Sequence, residues 1–260
     1  MRMALRQPVT NKVRARSVKT FLLIRHCWFL WILLVGCSEE SPTVPFSEPE
    51  IFAIGSVLEN PRTLQYNYEA LIDATVGRVS RKAYEKYKDN LEGYIDARRS
   101  DARGKVFEAT VAYQANQLYK KIGDGDRVLT TAAEGDPSHP ADNLLWRAGM
   151  IIGRYQLKST RNSKSIVDFL TAPQYIERYA KEIIITHPNT YLEVLRKLQR
   201  QIARGALSPE WKLVDEAIQQ RRLSNFIFPG HEVPSFHEAE KKAEQVIRRQ
   251  FESARREYGG

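Results

Sequence analysis

The amino-acid sequence predicts an all-α fold, a helical bundle or a short α-solenoid, for residues 56–260. Three observations predict it. Apolar residues recur at spacings of three and four, which places them on one face of a helix. Residues typical of helix caps stand where these stripes begin. Alternating apolar and polar segments joined by hairpin turns, the signature of an antiparallel sheet, do not occur.

Five apolar stripes define the predicted helices. In chain order they are Phe107, Val111, Ala115, Leu118, Ile122; Leu144, Leu145, Ala148, Ile151, Ile152, Tyr155; Tyr191, Leu195, Leu198, Ile202; Trp211, Val214, Ala217, Ile218; and Phe236, Ala239, Ala243, Val246, Ile247. Stripes of this regularity indicate burial against other helices. Only Ile183–Thr186 has the character of a strand, and a buried helix end explains it about equally well.

Cap signals mark where several of these helices should begin. Two pairs fit a capping box, in which a hydroxyl and a carboxylate satisfy the free amides of the first turn: Thr190 with Glu193, and Ser235 with Glu238. Ser208 precedes Pro209, a cap residue followed by a proline at the first helical position. We therefore expect helices to begin after Thr190, Ser208 and Ser235.

The positive charge of the chain is concentrated at its amino-terminal end. The formal net charge is +9, from 40 basic and 31 acidic residues. Residues 1–36 hold seven of the basic residues and no Asp or Glu, which leaves 33 against 31, or +2, for the rest. A surface that binds a polyanion would therefore have to come from local clustering of charge, and we expect no nucleic-acid partner.

A short apolar run ends at the second of two cysteines. Cys27 to Val35 are nine uncharged apolar residues, fewer than the roughly 20 that span a bilayer but enough for a signal peptide. The last two residues of the run and the next two read Leu34-Val35-Gly36-Cys37, which resembles the lipobox of bacterial lipoproteins. That resemblance implies cleavage before Cys37 and attachment of acyl chains such as palmitate to its sulfur.

The resemblance to lipoproteins also implies a domain organisation and a location. Residues 1–36 would be the signal peptide, residues 37–55 the lipidated cysteine and a tether rich in Pro, Ser and Glu, and residues 56–260 the folded domain. The mature chain would be held on a membrane of the cell envelope, since two or more acyl chains anchor stably. Ser38 after the cysteine favours the outer membrane, with the domain facing the periplasm.

Residues 113–146 resemble a tetratricopeptide-like repeat. Tyr113 and Trp146 are 33 residues apart, and between them a predicted helix ends in Gly-Asp, a second is expected from about Asp126 to Glu134, and Asp136-Pro137 closes the unit. The resemblance implies a pair of packed helices. It covers one unit, and an ordinary helical bundle is the alternative.

Two segments contain residues that can bind a metal. Asp124-Gly125-Asp126 has the start of a calcium loop, but Val128 and Thr130 occupy positions where further oxygen ligands are needed, so a turn is expected. His231 and His237 are the weak candidates for a metal site, yet they are six apart with Pro234 between them, whereas a zinc helix needs two His four apart. We predict no metal and no cofactor.

No catalytic motif occurs in the chain after Cys37, although with 31 acidic residues paired catalytic carboxylates remain open. We interpret the tyrosines between Tyr66 and Tyr119 as a seam between helices, with a peptide-binding face as the alternative. The functional hypothesis is a non-enzymatic interaction module or accessory subunit that binds membrane lipid through Cys37 and an envelope protein. The alternative is an envelope enzyme, such as a peptidoglycan hydrolase or lyase, that uses a Glu in a cleft. A deep cleft with a buried Glu of raised pKa would favour the enzyme, whereas a shallow concave or flat apolar face would favour the module.

Overall fold

A computed structural model describes residues 67–205, 207–228 and 230–259. The predicted signal peptide, the lipobox with Cys37 and the tether all lie outside these residues. None of the described helices is long and apolar enough to cross a bilayer.

Eight helices and five strands make up the described part. The helices are α1 Tyr68–Val76, α2 Arg81–Tyr87, α3 Leu91–Ile122, α4 Ser163–Thr171, α5 Pro173–Arg178, α6 Pro188–Ala203, α7 Pro209–Gln219 and α8 Phe236–Tyr258. The strands are β1 Arg127–Thr130, β2 Asn143–Arg147, β3 Met150–Lys158, β4 Ile183–Thr186 and β5 Leu223–Ser224. The prediction of an all-α fold is therefore wrong, because the domain mixes helices with a five-stranded sheet.

The sheet follows the chain in the order β1-β2-β3-β4-β5. Strands β1, β2 and β3 are antiparallel neighbours, whereas β4 and β5 add in parallel. Each parallel strand is reached through a helical crossover, α4 and α5 before β4, α6 and α7 before β5. Helices on both faces of the sheet produce the layered α/β arrangement that such crossovers require.

The largest error concerns the stripe from Leu144 to Tyr155, which is the β2–β3 hairpin and not a helix. Its turn consists of Ala148 and Gly149, both with positive φ, of 48° and 93°. Two-residue hairpin turns need positive φ at both positions, and Asn-Gly or Asp-Gly usually announces them. Here Ala148 stands where such turns usually have Asn or Asp, so the sequence gives no hairpin signal. The apolar run therefore resembles a buried helix.

The resemblance to a tetratricopeptide-like repeat does not describe the fold. Residues 127–130, within the expected second helix, form β1, and Trp146 lies in β2 instead of opening a helix. The turn at Asp124 to Asp126 is confirmed, since the Asp126 amide donates to Asp124 Oδ1 at 2.9 Å. Ile183–Thr186 is a strand, as its β-branched composition indicated.

The two faces of the sheet have separate cores. The larger core joins α1, α3 and α8 to the sheet face that carries Tyr155, Leu157, Ile183 and Ile185. The other face carries Ile184 and packs against α4, α6 and α7. Tyrosines predicted as a seam do line the helix contacts of the larger core: Tyr68 meets Tyr113 at 4.9 Å, and Tyr94 meets Phe251 at 5.1 Å between ring centroids.

Three of the predicted helix starts can be compared with the structure. The capping box of Ser235 and Glu238 is present, and the Ser208 hydroxyl accepts from the Trp211 amide. The box at Thr190 is wrong, because α6 already begins at Pro188. Thr190 Oγ1 instead donates to the Thr160 carbonyl at 2.7 Å, which fastens α6 to the segment after β3.

Candidate active site at the fork of β2 and β3

Strands β2 and β3 separate at one end of the sheet and form a fork. Strand β2 begins at Asn143, opposite Tyr155, while β3 continues to Lys158 and pairs there with β4. Asp142 fills the gap. Its Oδ2 accepts from the Leu157 amide at 2.7 Å and from the Gln156 side-chain amide. Both bonds go to Oδ2 and fix the carboxylate between the two strands.

Strand alternation decides which β3 side chains meet Asp142. Tyr155 and Leu157 point into the larger core. Gln156 and Lys158 therefore point to the opposite face of the strand, since successive residues alternate. Lys158 Nζ lies 4.3 Å from the centre of the Phe169 ring and 5.0 Å from that of Tyr179. The fork thus places an amide and an ammonium group on the side of β3 where the Asp142 carboxylate is bound.

Helix α3 brings a second carboxylate, that of Glu108. The residue is only 7% exposed, and its Oε2 accepts from Lys105 Nζ at 3.3 Å. Its main-chain carbonyl accepts from the Asn143 side-chain amide at 3.1 Å, which fixes this turn of α3 to the start of β2. The charges of Asp142, Lys105 and Lys158 all act on Glu108, so two carboxylates and two lysines are electrostatically linked at the fork.

The two carboxyl groups are held in an environment that disfavours their charge. Burial, followed by the charge of Asp142, raises the pKa of Glu108 to about 8, against the opposing effect of the lysines. Burial also raises the pKa of Asp142, although Lys158 and the Leu157 amide oppose it. The pKa of Lys158 is lowered, mainly by burial. Buried acids with raised pKa beside a lysine of lowered pKa are typical of catalytic sites.

A divalent cation is the ligand that such a carboxylate pair fits. It would relieve the repulsion between Glu108 and Asp142 and replace the water that both have lost. The described residues contain no cluster of three or more His, Cys, Asp or Glu that could hold a metal. Mg²⁺, however, commonly uses only one or two carboxylates and takes its other oxygens from water and from substrate phosphate. A pair is sufficient for that ion.

Arginines extend the positive charge of the site beyond the two lysines. The segment after β3 is bound by Arg103, whose guanidinium donates to the Ser159 carbonyl at 3.4 Å. Arg103 and Arg161 pack against the Phe236 ring at 4.2 and 4.3 Å. Arg178 is close enough to lower the pKa of Lys158. Glu240 pairs with both Arg103 and Arg161, at 3.8 and 3.2 Å, and offsets part of their charge.

A serine and a histidine are hydrogen-bonded beside the site. Ser159 Oγ lies 2.8 Å from His187 Nε2, and His187 Nδ1 lies 2.7 Å from the Pro234 carbonyl oxygen. His187 is fully buried against Phe107, and burial lowers its pKa to about 4. The neutral ring therefore donates from Nδ1 and accepts from the serine. These bonds tie the end of β3 to the start of α8, which is a structural role.

The residues predicted as metal ligands do not come together. His231 and His237 are both exposed, and His231 lines a cavity of about 530 Å³ between α3 and the segment before α8. Asp126 does not face a calcium site, because its carboxylate forms a bidentate pair with Arg147 at 2.6 Å. The lipidation site predicted at Cys37 lies outside the described residues.

Sequence reasoning left paired carboxylates open but did not identify Glu108 and Asp142. Glu108 lies on the long helix α3, and Asp142 stands 34 positions later at the start of a strand. The available signal was local. Gln156-Leu157-Lys158 alternates polar and apolar residues, as expected for a strand that carries a site on one face. The prediction of a helix over residues 144–155 concealed that residues 156–158 continue a strand.

Comparisons with known proteins do not identify the chain. No protein-family model matches it, and neither the curated proteins nor the solved structures contain a match.

Proposed function

We propose that the domain is a divalent-cation-dependent phosphodiesterase that cleaves nucleic acid. The observation that carries the proposal is the fork itself, where the charges of Asp142, Lys105 and Lys158 act on the buried Glu108. The sequence favoured a non-enzymatic module, and a deep cleft with a buried Glu of raised pKa was the feature expected to favour an enzyme. Glu108 supplies the buried Glu of raised pKa.

Glu108 and Asp142 would hold the cation, with Mg²⁺ as the expected ion because the ligands are carboxylate oxygens. When bound, the ion polarises a phosphoryl oxygen and lowers the pKa of a coordinated water. The chain supplies the remaining interactions. Gln156 and the Leu157 amide keep the Asp142 carboxylate in one orientation, and Lys105 neutralises part of the charge on Glu108. Lys158 supplies a positive charge for the phosphate.

The reaction is hydrolysis of a phosphodiester. A water oxygen forms a bond to phosphorus, the bond from phosphorus to one ester oxygen breaks, and that oxygen takes up a proton. The products are a phosphomonoester and an alcohol, the two ends of a cut strand. Negative charge accumulates on the phosphoryl oxygens in the transition state. The ammonium group of Lys158 stabilises this charge.

The same charges argue against a glycosidase, the envelope enzyme considered from sequence. Glycoside cleavage passes through a transition state with oxocarbenium, and therefore positive, character. Lys105 and Lys158 would destabilise such a state, whereas they stabilise a phosphoryl transition state. Arg178, whose charge acts on Lys158, adds to the positive charge that a phosphate substrate would meet.

The lipid anchor remains part of the proposal. If the chain is cleaved between Gly36 and Cys37 and Cys37 is acylated, the enzyme would be tethered to the outer membrane and would meet nucleic acid in the periplasm. Metabolic labelling with a fatty-acid probe tests this for wild type and Cys37→Ser. We expect label on the wild type alone, and equal labelling of both would refute the anchor without affecting the site.

A partner-binding module is the second candidate function. The observation that favours it is the cavity of about 530 Å³, which is lined in part by Val111, Tyr113 and Phe228. Such a cavity could accept an apolar side chain from an envelope protein. Crosslinking in cells should then recover one partner in fixed stoichiometry, and substitution of Tyr113 by Ala should abolish its recovery.

Cleavage of fluorescent DNA and RNA oligonucleotides by the full-length protein tests the proposed activity. We expect cleavage with Mg²⁺ or Mn²⁺ and none with EDTA. Glu108→Gln, Asp142→Asn and Lys158→Met should each lower the rate at least about a hundredfold, because each removes a charge that acts on the transition state.

Two exposed residues provide matched controls, Glu210→Gln for the carboxylates and Lys212→Met for the lysine. Both should retain the wild-type rate. Metal-dependent cleavage that all three fork variants retain would mean that the fork is not the active site. A wild-type protein that cleaves neither nucleic acid would refute the function itself.

A further inference from the structure

Three aromatic side chains meet next to Lys158 and are here called the aromatic cluster: Phe169 on α4, Tyr175 on α5, and Tyr179 after α5. The Phe169 ring lies 4.5 Å from Tyr175 and 6.0 Å from Tyr179, measured between centroids. The two tyrosine rings are 6.1 Å apart, with planes inclined by only 23°. The cluster is therefore compact, and the planes of the Tyr175 and Tyr179 rings are nearly parallel.

The aromatic cluster adjoins the fork. Lys158 Nζ stands over both Phe169 and Tyr179, at 4.3 and 5.0 Å from the ring centres. Asp142 is close enough to contribute to the raised pKa of Tyr179, although burial is the main cause. A phosphate held by Lys158 would consequently have these rings as its neighbours.

Burial within the aromatic cluster is uneven. Tyr179 is 6% exposed and belongs to the interior, whereas Phe169 and Tyr175 are half-buried. Helix α5, which carries Tyr175, contains no buried residue. Tyr175 packs against Phe169 at 4.5 Å, yet it is only half-buried, so part of the tyrosine remains accessible beside the site. A ligand with a flat apolar face would pack against this accessible part.

We infer that the aromatic cluster stacks a nucleobase next to the phosphate that is cut, so that the substrate is single-stranded nucleic acid. This inference rests on the proposed phosphodiesterase function. Bases of a single strand are free to stack on aromatic side chains, whereas bases of a duplex already stack on one another. The arginine Arg178 beside Tyr179, at 5.4 Å from its ring centre, adds charge for the neighbouring phosphate.

Binding and cleavage by the full-length protein, measured in parallel, test the inference. Fluorescence anisotropy in Ca²⁺ compares a labelled single-stranded oligonucleotide with an abasic strand of the same length and with a duplex, each as DNA and as RNA. We expect the wild type to bind the intact strand about tenfold more tightly than the abasic strand or the duplex. Tyr175→Ala should lose most of that preference, and Tyr175→Phe should keep it.

The matched control is Phe226→Ala, which removes an aromatic ring that is 37% exposed elsewhere on the domain. It should keep the wild-type preference. Equal binding of intact and abasic strands by the wild type, or a preference unchanged in Tyr175→Ala, would overturn the base-stacking role. The cleavage arm separates the two proposals: if strands are cut in Mg²⁺ without any base preference, the enzyme stands and the inference fails. If a base preference in binding occurs without cleavage, the aromatic cluster binds bases, but the phosphodiesterase function and the role beside a cut phosphate both fail.

Discussion

In the layer formed by α1, α3 and α8, charged side chains lie at the surface and pair with one another, whereas at the fork they are withdrawn from water. Glu69 and Glu108 illustrate the difference. Hydrogen bonding from Lys242, at 2.7 Å, lowers the pKa of the exposed Glu69. Burial raises that of Glu108 despite its lysine partner. The helical layer is thus arranged for stability, while the fork holds charges at a cost that a ligand would offset.

The largest expected change in the free energy of unfolding comes from a substitution in the core of the helical layer. Phe107 is fully buried and packs against His187, with 4.2 Å between the ring centres and the ring planes tilted by 44°. Phe107→Ala should reduce the free energy of unfolding by about 3–5 kcal/mol, because it leaves a cavity that the packed helices cannot close. Urea denaturation measures the loss. As a control, Phe226→Ala at an exposed site should change it by less than about 0.5 kcal/mol, and equal losses would contradict this picture of the core.

A smaller effect of opposite sign is expected at the fork. Without divalent cations, Glu108 binds a proton in the folded state up to about pH 8, whereas in the unfolded state it ionises near its ordinary pKa. The wild type should therefore lose stability as pH rises through this interval, whereas Glu108→Gln should not. At pH 8 we expect the variant to be more stable by roughly 1–3 kcal/mol.

The test is to measure the free energy of unfolding against pH for the wild type and for Glu108→Gln, and to ask whether the wild type loses stability as pH rises. Saturating Mg²⁺ should raise the stability of the wild type at pH 8 and leave Glu108→Gln nearly unchanged. A wild type that becomes more stable than the variant as pH rises, without Mg²⁺, would show that Glu108 is ionised and well paired.

The smallest effect belongs to the surface charges of the helical layer. Lys242→Ala breaks the ion pair to Glu69, whose side chain is 47% exposed. Solvent screens such a pair, so we expect a loss below about 1 kcal/mol that diminishes further in high salt. Thermal unfolding at low and high salt measures it. A larger loss that is insensitive to salt would mean that Lys242 contributes mainly through packing.

The comparison also shows how far the sequence predicts this molecule. Helices α3 and α8 follow stripes that are several turns long, and Phe107, Val111, Ala243 and Ile247 are buried as those stripes predict. Periodicity is dependable there because one face alone is buried. Strands β2 and β3 pack on both faces, so their apolar residues do not alternate cleanly, and Leu144 and Leu145 are both buried. A continuous apolar run of this kind resembles a helix that is buried at one side.

The candidate site could not be predicted from the sequence for the same reason. Glu108 and Asp142 meet only because α3 packs across the start of β2, where Asn143 binds the Glu108 carbonyl. No spacing in the sequence encodes that contact, and a wrong element at residues 144–155 removes it altogether. The start of α8 could be predicted, because its capping interaction joins Ser235 and Glu238, which are close in the sequence.

Calorimetric titration of Mn²⁺ into the full-length protein at pH 8 is the measurement that tests the fork most directly. We predict one tight site in the wild type, weaker binding at pH 6 because protons compete for Glu108, and loss of the site in Asp142→Asn. The control Glu210→Gln should bind as the wild type does. Absence of binding by the wild type, or equal binding by Asp142→Asn, would contradict the assignment of these carboxylates to a metal-dependent active site.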